Sequence, residues 1–278
     1  MNKKLLAVAL LAGIGSMPAM AGPALPWTVN ELAVDAASGN NTVAVLAAAL
    51  NRPTTFSANN MSLVYEATIT QGAFNQNGVA SFTETGRVQL SNYYTGYVPG
   101  GVTQGTQVSS ALGQAYSLWA TFSITGTATI NGNQLSVAVA NGSFNAFADF
   151  SPIGNSLSQL TADAALGSAS ALLSGGAVLT NLGNNDAANG SFEVIWGDFT
   201  RANPFGLALW PAPNPFHMVL DINSDVDGVA GAFNPGGTVA QTGGQGNAYF
   251  AVPEPSAIAL LGLGLVGMGF TSRKRKAV

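Results

Sequence analysis

From Ser62 onward the chain alternates apolar and polar side chains with a period of two, and nothing else in the sequence constrains the fold as strongly. In the run 63–69, Leu63, Tyr65 and Ile69 fall on one face of an extended backbone, and Glu66 and Thr68 on the other. Segments 79–85, 87–90, 116–124, 126–130, 135–140, 143–150, 192–199, 217–222 and 247–252 read the same way. They are rich in Val, Ile, Phe, Tyr and Thr, and Gly or Asn separates them. Asn131-Gly132-Asn133 is a hairpin signal between two such runs, and Asn141-Gly142 marks a further turn or a bulge. Several antiparallel strands with short turns predict a mainly β fold, an antiparallel β-sandwich or jelly-roll-like domain. Two segments break the pattern. Residues 42–50 are Ala- and Val-rich and read as a short helix or an apolar loop; 157–189 is rich in Ser, Ala, Gly and Asn. Within the latter, 162–173 is the best helical candidate and a partly ordered loop the alternative, so a small helical or low-complexity insertion is expected.

The two ends of the chain are targeting segments. Lys3 and Lys4, an apolar stretch over 5–14 and the small-residue site Ala19-Met20-Ala21 form a secretory signal peptide, so signal peptidase is expected to cut after Ala21. At the other end stand Val252-Pro253-Glu254-Pro255-Ser256, an apolar run over 257–270, and Arg273-Lys274-Arg275-Lys276. As a helix the run reaches roughly 21 Å, short of a hydrocarbon core roughly 30 Å thick. Gly262, Gly264, Gly267 and Gly269 weaken it further. The reading is a short transmembrane helix that tethers the chain poorly to the inner membrane, with the basic tail on the cytoplasmic side. The domains are then 1–21, signal peptide; 22–251, a β-rich extracellular body; and 252–278, a sorting segment. Pro253 and Pro255 lack backbone donors and favour an extended, accessible stretch beside the bilayer.

This three-part tail resembles the PEP-CTERM sorting signal of Gram-negative bacteria that make exopolysaccharide. The resemblance implies that Pro253, Glu254 and Pro255 are the recognition element for an exosortase, a membrane-embedded transpeptidase-like enzyme that processes the chain nearby. The body carries shorter resemblances: Tyr116-Ser117-Leu118-Trp119-Ala120-Thr121-Phe122, Gly190-Ser191-Phe192-Glu193, Pro215-Phe216 leading to Leu220-Asp221, and Gly246-Asn247-Ala248-Tyr249-Phe250. These are similar to the flocculation-associated PEP-CTERM proteins. That subgroup implies a non-enzymatic surface or matrix protein that acts with secreted exopolysaccharide in adhesion, aggregation or floc formation.

Between the targeting segments only Arg52, Arg87 and Arg201 oppose twelve acidic residues, so the body carries a net charge near −9. Nucleic acid is excluded as a partner, because phosphate neutralisation needs clustered Lys and Arg. There is no Cys, so no disulfide closes a loop and the fold rests on core burial. Charged residues make up 8% of the chain, against about a quarter in ordinary domains. The resulting surface is neutral and polar, suited to weak contacts with sugars or with other copies.

Few residues point to chemistry. His217 is the only histidine; Asp221 or Asp198 would be needed to orient it, and no Gly-x-Ser-x-Gly elbow accompanies it, so it reads as a half-exposed strand residue. Glu66, Glu84 and Glu193 are the acids that a two-carboxylate hydrolase would draw on. Asn223, Asp225 and Asp227, ahead of Gly228, place oxygens as in the start of a calcium loop, but the twelfth position is Asn234 rather than a bidentate Glu. No cofactor is expected beyond a weak, optional Ca²⁺ there. Tyr93, Tyr94 and Tyr97 lie in a stretch bounded by Gly and Pro. They are candidates for stacking on sugar rings, with burial beneath the loop as the alternative.

Overall fold

The computed structural model describes residues 24–99, 104–151, 157–180, 189–212, 216–222 and 238–251. The alternating runs become long strands: β3 (Asn60–Gln71), β4 (Val79–Thr95), β6 (Ser117–Asn131), β7 (Gln134–Asp149), β10 (Asn189–Arg201), β11 (Phe216–Ile222) and β12 (Thr238–Ala251). Shorter strands are β1 (Trp27–Asn30), β2 (Thr55–Ala58), β5 (Thr106–Gln107), β8 (Ala164–Ala169) and β9 (Ala171–Thr180). In β3, after the buried Asn60, the alternate residues Met61, Leu63, Tyr65, Ala67, Ile69 and Gln71 are buried, while Glu66 and Thr70 face solvent. This is the two-sided pattern read from the sequence.

The sheet closes on itself. Each long strand pairs antiparallel with its sequence neighbour, β3–β4, β4–β6, β6–β7, then β10–β11 and β11–β12, and β12 returns to β3 from Ala248↔Met61 to Thr238↔Gln71. β8 and β9 together fill the place between β7 and β10: β8 beside Phe144–Ala148, β9 beside Gln134–Ala138. The result is an eight-position up-and-down barrel, not the expected sandwich or jelly roll. Period-two alternation is common to all three, and the closing pair joins residues far apart in sequence, which no local pattern encodes.

Two further expectations are corrected. Segment 162–173 is not helical but supplies β8 and the start of β9. Its Ala- and Leu-rich composition favours a helix, but the open ladder between β7 and β10 takes it as strand, and unpaired backbone in a closing barrel costs more than weak propensity. Gly167 makes this possible, since a Cβ there would meet the Phe199 ring at 2.5 Å and Thr200 O at 2.6 Å. Glycines that read as strand separators instead lie inside strands. A Cβ on Gly126 would lie 2.1 Å from Ala138 O, beside a register shift opposite Asn141, so the glycine lets β6 bend around the barrel. Of the two readings for 42–50, the helix is observed.

One end of the barrel is capped. β1 pairs with β2, and α1 (Leu32–Ser38), α2 (Thr42–Ala49) and α3 (Phe205–Leu209) lie at the same end. The main core runs from the barrel interior into this cap, joining Leu118, Phe144 and Trp196 to Trp27, Val34, Val43 and Trp210. Phe250, near the end of β12, packs edge-on against Trp27 at 4.8 Å and Trp210 at 5.3 Å. Among the described residues no helix is long and apolar enough to cross a membrane.

Candidate functional site

The body meets its sorting segment at the capped end. β12 ends at Ala251, which pairs with His217 of β11 and bridges to Ala24, while the Leu25 N–H donates to Phe250 O at 2.8 Å. The last described residue is thus held on both sides, and the first and last described segments lie together. Pro253, Glu254, Pro255, Arg273, Lys274, Arg275 and Lys276 lie outside the described residues, as do Ala19 and Ala21 at the signal-peptide site.

The proposed sugar-stacking tyrosines are not a free platform. Tyr93 and Tyr94 belong to β4, and Tyr93 is fully buried against Phe56 at 5.3 Å. Tyr97 is buried over Tyr249, its ring 5.4 Å away, on the outer wall. Tyr94 alone is partly exposed. Two of the three rings serve packing: Tyr93 lies in the main core, and Tyr97 lies over Tyr249 because the segment that follows β4 folds back over β12 and β11.

Beneath Tyr97 lies an acidic pair. Glu193 on β10 faces Asp221 on β11 in direct register, a spacing of about 5 Å between Cβ atoms. The Tyr97 hydroxyl donates to Asp221 Oδ2 at 3.4 Å. Burial, and then the neighbouring Asp221, pushes Glu193 up to about 7; burial also raises Asp221, partly offset by the Tyr97 bond. Close by, the Tyr249 hydroxyl is buried with no hydrogen-bond partner among the described residues. Such a pair can share a proton and act as an acid near neutral pH.

The other glutamates are elsewhere. Glu66 points outward from β3, whereas Glu84 points into the barrel between Ile69 and Ile124. With no basic neighbour among the described residues, burial holds Glu84 up to about 7. The three acids are thus not gathered around one cleft. His217 is 7% exposed, more buried than the half-exposed reading, in the strand pair that ends at Ala251. Asp221 stands four residues along the same strand, roughly 13 Å away, so it does not orient the imidazole. Asn223, Asp225 and Asp227 lie outside the described residues, and among those described no three His, Cys, Asp or Glu side chains converge on a metal position.

Sequence reading missed the polar knot that locks the cap. Buried Glu31 accepts from Arg52 Nη1 at 2.5 Å, Ala111 N at 2.7 Å and the Tyr116 hydroxyl at 2.9 Å. Asp35 accepts from Val43 N and Ala44 N, both at 2.9 Å, and so closes the N-terminus of α2. The scarcity of cations was the available signal. Each of the three body arginines is committed internally: Arg52 to Glu31, Arg87 over Trp119 and to Leu157 O, and Arg201 to Trp210 O.

No curated protein and no solved structure matches the chain. Residues 251–276 match the family model described as the PEP-CTERM protein-sorting motif, beginning at the residue where β12 ends. With the tail composed as described and the body closed immediately before it, this is a protein that carries a PEP-CTERM sorting motif, the mark of an exported, transiently membrane-anchored exosortase substrate of Gram-negative bacteria.

Proposed function

We propose that, once processed, the protein acts at the cell surface or in the extracellular matrix in exopolysaccharide-associated adhesion, aggregation or floc formation. The observation that carries this reading is the outer wall of four adjacent strands. In register across it lie Thr70, Thr83, Thr125 and Asn141, and one step along, Thr68, Thr85, Ser123 and Ser143. Hydroxyls and amides of this kind exchange hydrogen bonds with sugar hydroxyls without the cost of stripping water from charges. The net acidity of the body keeps copies apart between such contacts. Among the described residues ring closure leaves no free strand in the barrel, which argues against assembly through neutral β-edges. A weak Ca²⁺ site at Asn223, Asp225 and Asp227 belongs to the same proposal as an optional accessory.

The test is deletion of the chain with polysaccharide output measured in parallel. Cells that stop clumping while still secreting normal polysaccharide support the reading; normal clumping rejects it. Mass spectrometry of the mature C-terminus, with and without the exosortase, tests the processing step separately.

A two-carboxylate hydrolase is the second reading, and the facing Glu193 and Asp221 are what favour it. Release of reducing ends from the purified polysaccharide, lost in Glu193→Gln, would establish it.

A further inference from the structure

The exposed apolar side chains of the barrel are unevenly placed. Of the seven large ones among the described residues, Leu32, Val45, Leu50, Val98 and Leu207 all lie at the capped end; Leu173 and Val178 lie on β9. Val45 is 64% exposed and Leu50 54%. The cap is also free of outward charge. Segment 24–58 has three charged residues, Glu31, Asp35 and Arg52, and all three are turned inward: Glu31 and Arg52 to each other, Asp35 onto the start of α2. Segment 202–212 has none. The exposed acid at that end, Asp163, sits on the rim, its carboxylate engaged by Phe150 N and the Thr161 hydroxyl.

We propose that this capped end is a membrane-contact face, with α2 and its apolar neighbours lying in the interfacial layer of the bilayer while the chain is tethered. The proposal rests on the reading of 257–270 as the tether. Ala251, held in the barrel wall at the capped end, is separated from that run by residues 252–256 alone, a reach of at most roughly 20 Å. The capped end, where the body joins the tether, is therefore kept close to the bilayer. A charge-free face bearing branched apolar side chains gains by entering the interface, where a charged one would not. The opposite mouth stands roughly 35 Å away along strands of this length. A second copy is a weaker occupant, because like-charged bodies repel and nothing fixes a partner's position as the tether fixes the bilayer's.

The natural absence of Cys allows single fluorescent labels on the full chain at Val45→Cys, Leu263→Cys and Asn133→Cys, three exposed or tail positions whose substitution spares the core. Each labelled chain is reconstituted in vesicles of phosphatidylethanolamine and phosphatidylglycerol that carry a shallow lipid-borne quencher, with no exosortase present. The expected result is shielding of the Leu263 label from an aqueous quencher, together with lipid quenching at Val45 several-fold stronger than at Asn133. A shielded tail with Val45 no more quenched than Asn133 overturns the membrane face while leaving the tether intact. An unshielded tail overturns both. Quenching at Val45 that tracks protein density rather than quencher density assigns the face to a second copy, and overturns the proposal.

Discussion

The two ends of the barrel solve the problem of termination differently. The capped end is filled: Trp27, Trp210, Phe199 and Phe250 interlock, and Glu31 ties α1, Arg52, Ala111 and Tyr116 into one buried knot. The half nearer the other mouth is held by strand length and by hairpins such as Asn131–Gln134, and it tolerates a lone buried carboxyl, Glu84. One end is built for fixity at the point where the sorting segment leaves. The other spends its stability on an acid that nothing neutralises.

Removing the knot should break this contrast most severely. Glu31→Ala leaves Arg52 buried without its counter-charge and is expected to cost about 3–5 kcal/mol, read as a drop in denaturant midpoint by tryptophan fluorescence. Next in size is the titration of Glu84. Its folded pKa, about 7, lies above the ordinary 4.5, so between these values the native state keeps a proton that the unfolded chain releases. Stability therefore falls as pH rises from about 4.5 to about 7 and is level above. Glu84→Gln should flatten much of that fall and gain on the order of 2 kcal/mol at pH 8, checked by chemical denaturation across pH. A residual slope of the same sign should remain, because Glu193 and Asp221 are raised as well. Gly126→Ala, which drives a methyl into the Ala138 carbonyl, should cost about 1–3 kcal/mol in thermal or denaturant unfolding. Val45→Asp is the smallest: on the exposed cap its stability effect should stay within about 0.5 kcal/mol, although it places a charge on the apolar face.

How much of this was legible in the sequence follows from the range of each interaction. The faces of β3 and the hairpin at Gly132 were readable because they depend on neighbours two or three residues away. Strand extents were not, since Gly86 looks like punctuation until a curved wall requires it inside β4. β8 and the start of β9 were read as a helix or a partly ordered loop because their identity is imposed by β7 and β10 on either side. For Tyr93 and Tyr97 the alternative of burial holds, and the sequence left it open because it depends on distant partners, Phe56 for one ring and Tyr249 for the other. The PEP-CTERM motif over 251–276 was legible, because a recognition enzyme must read it from the chain itself.

The return of β12 to β3 sets a timetable. Strand β12 is the last of the body to be made, and β3 is the first strand of the ring, so the barrel stays unsealed until nearly the whole polypeptide has crossed the membrane. Topologies dominated by such distant pairings mature slowly, on a scale of milliseconds to seconds. On the reading of 257–270 as a tether, a hydrophobic stop directly behind the sealing strand would hold the body at the exit for that interval. Scission would then fall after closure, and what is let go would be a finished particle rather than a sticky half-cylinder.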